Sequence, residues 1–148
     1  MTRDRLALCS LLALLACGDA AETQGDLGSE IVRSAEVDWS FAVDLPLASL
    51  QTSSPPRSRA VWLLVHEGQL FVPTGIARGN TWPRQLADDP VVLLRVMDRL
   101  YLRHATWVTD NAELATLREA TRSKYGTAPR SDDAGSGFFR MDPVPGRG

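Results

Sequence analysis

The sequence predicts a mainly β fold with some helix: a six-stranded antiparallel barrel, with one short and one longer helix packed outside. Three observations predict it. Short apolar or alternating runs recur six times between residues 36 and 141. Most of them come in pairs separated by brief turn signals, which is how antiparallel strands connect. Only two stretches carry helical signals, so a curled antiparallel sheet is favoured over a layered α/β body.

Each element can be justified in order. In residues 36–45, Trp39, Phe41, Val43 and Leu45 alternate with Asp38, Ser40, Ala42 and Asp44. Period two marks a half-buried strand, and Pro46 ends it. Residues 47–59 read as a polar connection in which Pro55 and Pro56 forbid regular structure. Residues 60–65 are nearly all apolar, Glu67-Gly68 signals a turn, and residues 69–72 resume an apolar strand. Together these make a tight hairpin.

The stretch PTGIARGNTW, residues 73–82, follows. Trp82-Pro83 suits a helix start, because proline fits the first helical position. Trp82 and Leu86 stand four apart and can share a core-facing side. Asp88-Asp89-Pro90 stops this helix, and acids at a helix C-terminus oppose the macrodipole, so two turns are expected. Residues 91–96 form a strand, Met97-Asp98-Arg99 turns the chain, and residues 100–109 return as a long strand. Residues 110–124 carry the clearest helix. Asp110 can cap it, Glu113 completes a variant capping box, and Gly126 ends it. Leu114, Leu117, Thr121 and Tyr125 form its apolar stripe. A loose segment, residues 127–137, leads to a last short strand at 138–141.

The ends bound the compartment. Arg3 and Arg5 precede an apolar stretch of eleven residues, 6–16. A bilayer span needs about 20, whereas this length suits an export signal. Leu14-Leu15-Ala16-Cys17 resembles the lipobox of bacterial lipoproteins, with Leu15 where a smaller residue is more usual. The alternative is an ordinary secretory signal cut near Ala20-Ala21. Cysteine usage agrees with lipidation: the chain has only Cys9 and Cys17. Cys9 would leave with the signal and Cys17 would carry lipid, so no thiol remains exposed to an oxidising envelope. Several acyl chains anchor firmly where one does not. Gly18 rather than aspartate after the cysteine favours the outer membrane. The expected organisation is therefore a signal peptide (1–16), a flexible acidic tether (17–35), one domain (36–143) and a frayed end (144–148). Residues 17–56 carry seven acids and one base, while 57–148 carry thirteen bases and ten acids. The overall charge of −2 offers no nucleic-acid surface.

With the elements in place, a resemblance emerges. "VWLLVHEGQLFVPTG", the short helix "WPRQLADDP", "VVLLRVMDRLYLRHATWVTD", "ELATLREATRSKYG" and the final "FFRMDP" together resemble the flavin-binding split-barrel superfamily. That superfamily includes pyridoxamine phosphate oxidases and deazaflavin-dependent nitroreductase-like proteins. The resemblance implies a split β-barrel, a homodimer, and FMN or a deazaflavin in a groove between subunits. It also implies a cofactor phosphate held by basic and hydroxyl side chains from the barrel and the start of the short helix. Carried over by position, Arg84 is the retained helix cation, Thr74 the strand-end hydroxyl, and Arg57 and Arg59 the bases before the hairpin. The chain departs from the pattern at Trp82, which stands where the family often has lysine or arginine. Arg78 is the candidate substitute for that missing charge.

The residues themselves leave alternatives open. Gly75 and Gly79 could free backbone N–H groups for an anion, with Arg78 or Arg84 alongside, or they could simply turn a loop. Trp39, Trp62, Trp82 and Trp107 could stack on a planar ring, but strand tryptophans usually belong to cores; Trp82 is the strongest candidate. His66 and His104 lack the company of a catalytic triad or a metal site. Two functional readings stand. One is a lipid-anchored flavin- or deazaflavin-dependent oxidoreductase of the bacterial envelope. The other is a non-catalytic envelope binding or structural module.

Overall fold

The computed structural model describes residues 30–75, 82–132 and 135–146. Its strands are β1 (Ile31–Val32), β2 (Leu47–Ser53), β3 (Pro56–Trp62), β4 (Leu64–His66), β5 (Gln69–Thr74), β6 (Val91–Val96), β7 (Arg99–Trp107) and β8 (Gly137–Asp142). The helices are α1 (Trp82–Asp88) and α2 (Asn111–Tyr125), and a short 3-10 turn covers Trp39–Ala42. Seven strands form one antiparallel sheet in the order β3-β2-β6-β7-β8-β5-β4, and β1 pairs in parallel with β7.

The connectivity explains the curl. The two edge strands of that order, β3 and β4, are consecutive in the chain and separated by Leu63 alone. A sheet whose opposite edges are tied by one residue cannot lie flat. It rolls into a half-closed cylinder around Leu50, Leu70, Val72, Val92, Leu94 and their neighbours, all without exposed surface. A smaller cluster, Leu64, Phe71, Val108, Leu117 and Phe138, seats α2 on the outside of β4 and β8.

The local signals at α2 work as the sequence suggests. The Asp110 carboxylate accepts a 2.8 Å bond from the Glu113 N–H, and Gly126 ends the helix in the left-handed region, φ 77°. The end of α2 is pinned as well. Lys124 donates to the carbonyls of Leu45 and Leu63 at 2.7 and 2.9 Å, and Tyr125 stacks on Trp62 at 4.3 Å. The hairpin at Glu67-Gly68 has both residues at positive φ, as a tight two-residue turn requires.

Two expectations are corrected. Residues 36–45 are not a strand. Asp38 accepts a bond from the Ser40 N–H at 3.0 Å and starts a 3-10 turn instead. Trp39 and Ala42, three apart, are its buried residues, while Phe41 and Val43 stay exposed. Spacing of three suits a 3-10 turn, in which i and i+3 eclipse. Residues 47–59 are not an irregular connection; with residues 60–62 they form the β2–β3 hairpin. Proline is tolerated in a turn and at the first residue of a strand, and Pro55 and Pro56 occupy those places. Ala48, Leu50 and Thr52 supply the buried face. The six expected strands are therefore too few, and the sheet takes in Ile31–Val32, ahead of residue 36.

Candidate functional site

α1 stands between β5 and β6 in the chain. Its inner side buries Trp82, Pro83 and Leu86. Trp82 lies 6.1 Å from Phe139, ring to ring, and the Arg59 guanidinium sits 5.5 Å from the Trp82 ring centroid. Arg59 comes from β3, opposite Leu50 of β2. Its neighbour on the same strand face, Arg57, lies opposite Thr52 and is exposed. Burial, and after it the charge of Arg57, lowers the pKa of Arg59. Among the described residues, neither arginine forms an ion pair with a carboxylate, and the buried Nε of Arg59 has no hydrogen-bond partner. A buried N–H without an acceptor is costly, and the Nε atoms of Arg103 and Arg118 are in the same state.

Pro83, Arg84, Leu86 and Ala87 of α1 border a cavity of about 520 Å³. Arg84, Leu86, His104, Thr106, Trp107 and Phe139 line most of it. The lining is largely apolar, and Arg84 and His104 are its titratable groups. The His104 Nδ1 and the Thr106 hydroxyl are 3.2 Å apart. Trp107 forms the wall, edge-on to Phe139 at 4.9 Å and 66°. Gly137 makes that wall possible: a Cβ there would come within 2.8 Å of two Trp107 ring atoms. Trp82, Phe139 and Trp107 thus form a run of rings leading from Arg59 to the cavity.

The structure brings Arg59 and Trp82 into contact and places Arg57 beside them and Arg84 at the cavity. Thr74 is buried, and its hydroxyl donates to the Gly135 carbonyl at 2.9 Å. That bond ties β5 to the loop before β8 and leaves the hydroxyl only its lone pairs. Arg78 and Cys17 lie outside the described residues, as do Gly79 and Thr81. Sequence reasoning missed His104, Thr106 and Phe139 as cavity lining, and weighed Trp107 only as one of four tryptophans that could stack on a ring. The only available signal was Trp107 near the end of a long strand, two positions short of the turn into α2, with a glycine on the strand beside it. Among the described residues no three His, Cys, Asp or Glu side chains gather to hold a metal.

No protein-family model matches the chain, and no curated protein sequence does. Solved structures do. A pyridoxamine 5'-phosphate oxidase-like protein from Listeria innocua superposes with a TM-score of 0.52 at 15% identity, over 70% of this chain and 89% of that one. An FAD binding protein from Mycobacterium smegmatis superposes with a TM-score of 0.50 at 19% identity, over 75% and 90%. At such identities the likeness is one of fold. The curled antiparallel half-barrel with two helices is the fold that the chain shares with these structures.

Proposed function

We propose that this chain is a lipid-anchored protein of the bacterial envelope whose split barrel binds a flavin-type cofactor carrying a phosphate. One observation carries the reading. Arg59 is held against Trp82 with a buried, unpartnered Nε and a second guanidinium next to it, in a chain without a carboxylate to neutralise either among the described residues. The solved neighbours support the ligand class, since one is an FAD binding protein and another is pyridoxamine 5'-phosphate oxidase-like. The cavity volume falls within the range of about 300–1,000 Å³ usual for small-molecule sites.

The residues present fit such a group. Arg59 and Arg57 hold the phosphate through charge-assisted hydrogen bonds, which are roughly twice as strong as neutral ones. Trp107 and Phe139 keep water from one face of the ring. His104, with its Nδ1 engaged by Thr106, has its Nε2 left for a ring heteroatom. Arg84 answers negative charge at the open side. A bound flavin supplies electron and hydride transfer at its ring, and the protein's part is binding, orientation and electrostatics. The reading includes a homodimer, because Trp107 keeps 38% of its surface exposed in the single chain and a second copy would cover it.

The direct experiment is titration of the purified protein with flavin mononucleotide, followed by flavin fluorescence. Saturable quenching is expected. Arg59→Gln should weaken binding about 10- to 100-fold, the equivalent of roughly 1.5–3 kcal/mol for hydrogen bonds to a charged group. Fluorescence that stays unchanged at every protein concentration contradicts the reading.

A second reading is binding without turnover. Trp82 favours it, since it stands where the resembled family often keeps a cation, and it is buried. The sparse chemistry of the cavity, with one histidine and one arginine among its lining side chains, favours it too. Flavin that binds yet is not reduced by nicotinamide or deazaflavin donors would select this reading.

A further inference from the structure

The cavity beside α1 joins apolar walls to a single permanent charge. Trp107 and Phe139 give it aromatic walls, and Pro83, Ala87 and Pro90 add short, stiff apolar ones. His104 and Thr106 are polar, but they engage each other through Nδ1 and the hydroxyl at 3.2 Å. Arg84 is different. It lines the cavity, is exposed, and forms no ion pair among the described residues. No carboxylate lines the cavity among those residues.

The acids nearest to Arg84 in the chain are Asp88, the last residue of α1, and Asp89 after it. Asp88 follows Arg84 by four residues, the weaker order for a helical ion pair, and no such pair forms. These acids offset the charge of Arg84 at a distance. Selectivity for an anion therefore comes from contact, through the planar fork that donates two parallel N–H bonds to one carboxylate. Arg57 and Arg59, which the reading above gives to the flavin phosphate, do not line this cavity. A flavin held there by its phosphate leaves Arg84 free to meet the charge of another molecule.

We propose that the cavity takes an aromatic monocarboxylate as a second ligand, its ring against the Trp107 and Phe139 walls and its carboxylate on Arg84. The proposal rests on the reading above in taking this cavity as the ligand site. Aromatic walls gain from ring–ring contact beyond the buried area. A rigid ring system also loses little freedom on binding, whereas a flexible chain has to be ordered. One guanidinium matches one negative charge, so a monoanion suits the site better than a phosphate does.

The test is calorimetric titration of the full chain, with and without flavin mononucleotide. Naphthoate should give saturable heat and bind about 10-fold or more tightly than naphthalenemethanol, which has the same rings and no charge. Arg84 is exposed, so Arg84→Gln should keep the native melting temperature while bringing naphthoate down to the affinity of the alcohol. Naphthoate should still bind after the chain is saturated with flavin mononucleotide. Equal affinity for naphthoate and the alcohol, or a preference that survives Arg84→Gln, overturns the carboxylate contact. Decanoate carries the same charge on a flexible chain; if it binds more tightly than naphthoate, the ligand is a lipid acid and the aromatic assignment falls. Flavin mononucleotide that displaces naphthoate leaves the cavity one ligand and overturns the second. Naphthoate bound through Arg84 by a chain that shows no flavin quenching upholds this site and overturns the flavin reading alone.

Discussion

Trp107 lies against Phe139 yet keeps a large exposed face, and the residue that permits this is Gly137. Nothing about the glycine's own backbone angle is special; what matters is the missing Cβ. Gly137→Ala should push the Trp107 ring outward and cost about 1–3 kcal/mol, the range for overpacking. Thermal unfolding and a red shift in tryptophan emission would report it, and an unchanged melting temperature would show that the ring is not seated as described. The neighbouring arginines tell a different story about legibility. Arg57, Arg59 and Trp82 stood out in the sequence because basic residues before an apolar hairpin and a Trp-Pro helix start are local features, whereas the contact between Arg59 and Trp82 is made only by the fold. His104 and Trp107 were not readable as cavity lining. Alternation along a strand says which side a residue faces, but only the fold says whether that side meets core, solvent or a cavity.

At the scale of elements, the outcome followed how local each signal was. α2 was legible nearly to the residue, since its cap, its stripe and its terminal glycine all lie within its own span. Asp110→Ala should cost about 1 kcal/mol, the usual value of a capping side chain. In a domain of this size that lowers the melting temperature by a few degrees, and calorimetry would measure it. A loss within error would mean the Asp110 cap bond contributes nothing. The β6–β7 hairpin was equally plain, its apolar strands flanking a short polar turn. The β2–β3 hairpin was hidden because its buried face is built from Ala48, Leu50 and Thr52, which look polar and mixed beside two prolines. Residues 36–45 misled in the opposite direction. Their alternation of two competed with a capping aspartate and a spacing of three between Trp39 and Ala42. The capping bond prevailed: the Asp38 carboxylate accepts from the Ser40 N–H, and Trp39 and Ala42 are buried on the turn that it starts.

The whole molecule depends on Leu63, the single residue that joins the two edges of the sheet. It has no exposed surface, and its backbone N–H and carbonyl both engage the Tyr125 hydroxyl. No local pattern announces such a corner, since residues 60–65 read as one continuous strand. The corner rolls the sheet, and the rolled sheet carries Arg59 of β3 to Trp82 of α1, which the chain alone leaves more than twenty residues apart. The account's central claim is that this convergence makes a phosphate site next to a ring site. The most direct measurement compares flavin mononucleotide with riboflavin, which has the same ring and no phosphate, on the native chain and on Arg59→Gln. The account predicts a clear preference for the phosphorylated ligand in the native protein. It predicts that Arg59→Gln abolishes most of that preference and leaves riboflavin binding little changed. Equal affinity for the two ligands in the native protein, or a preference that survives loss of Arg59, would contradict it.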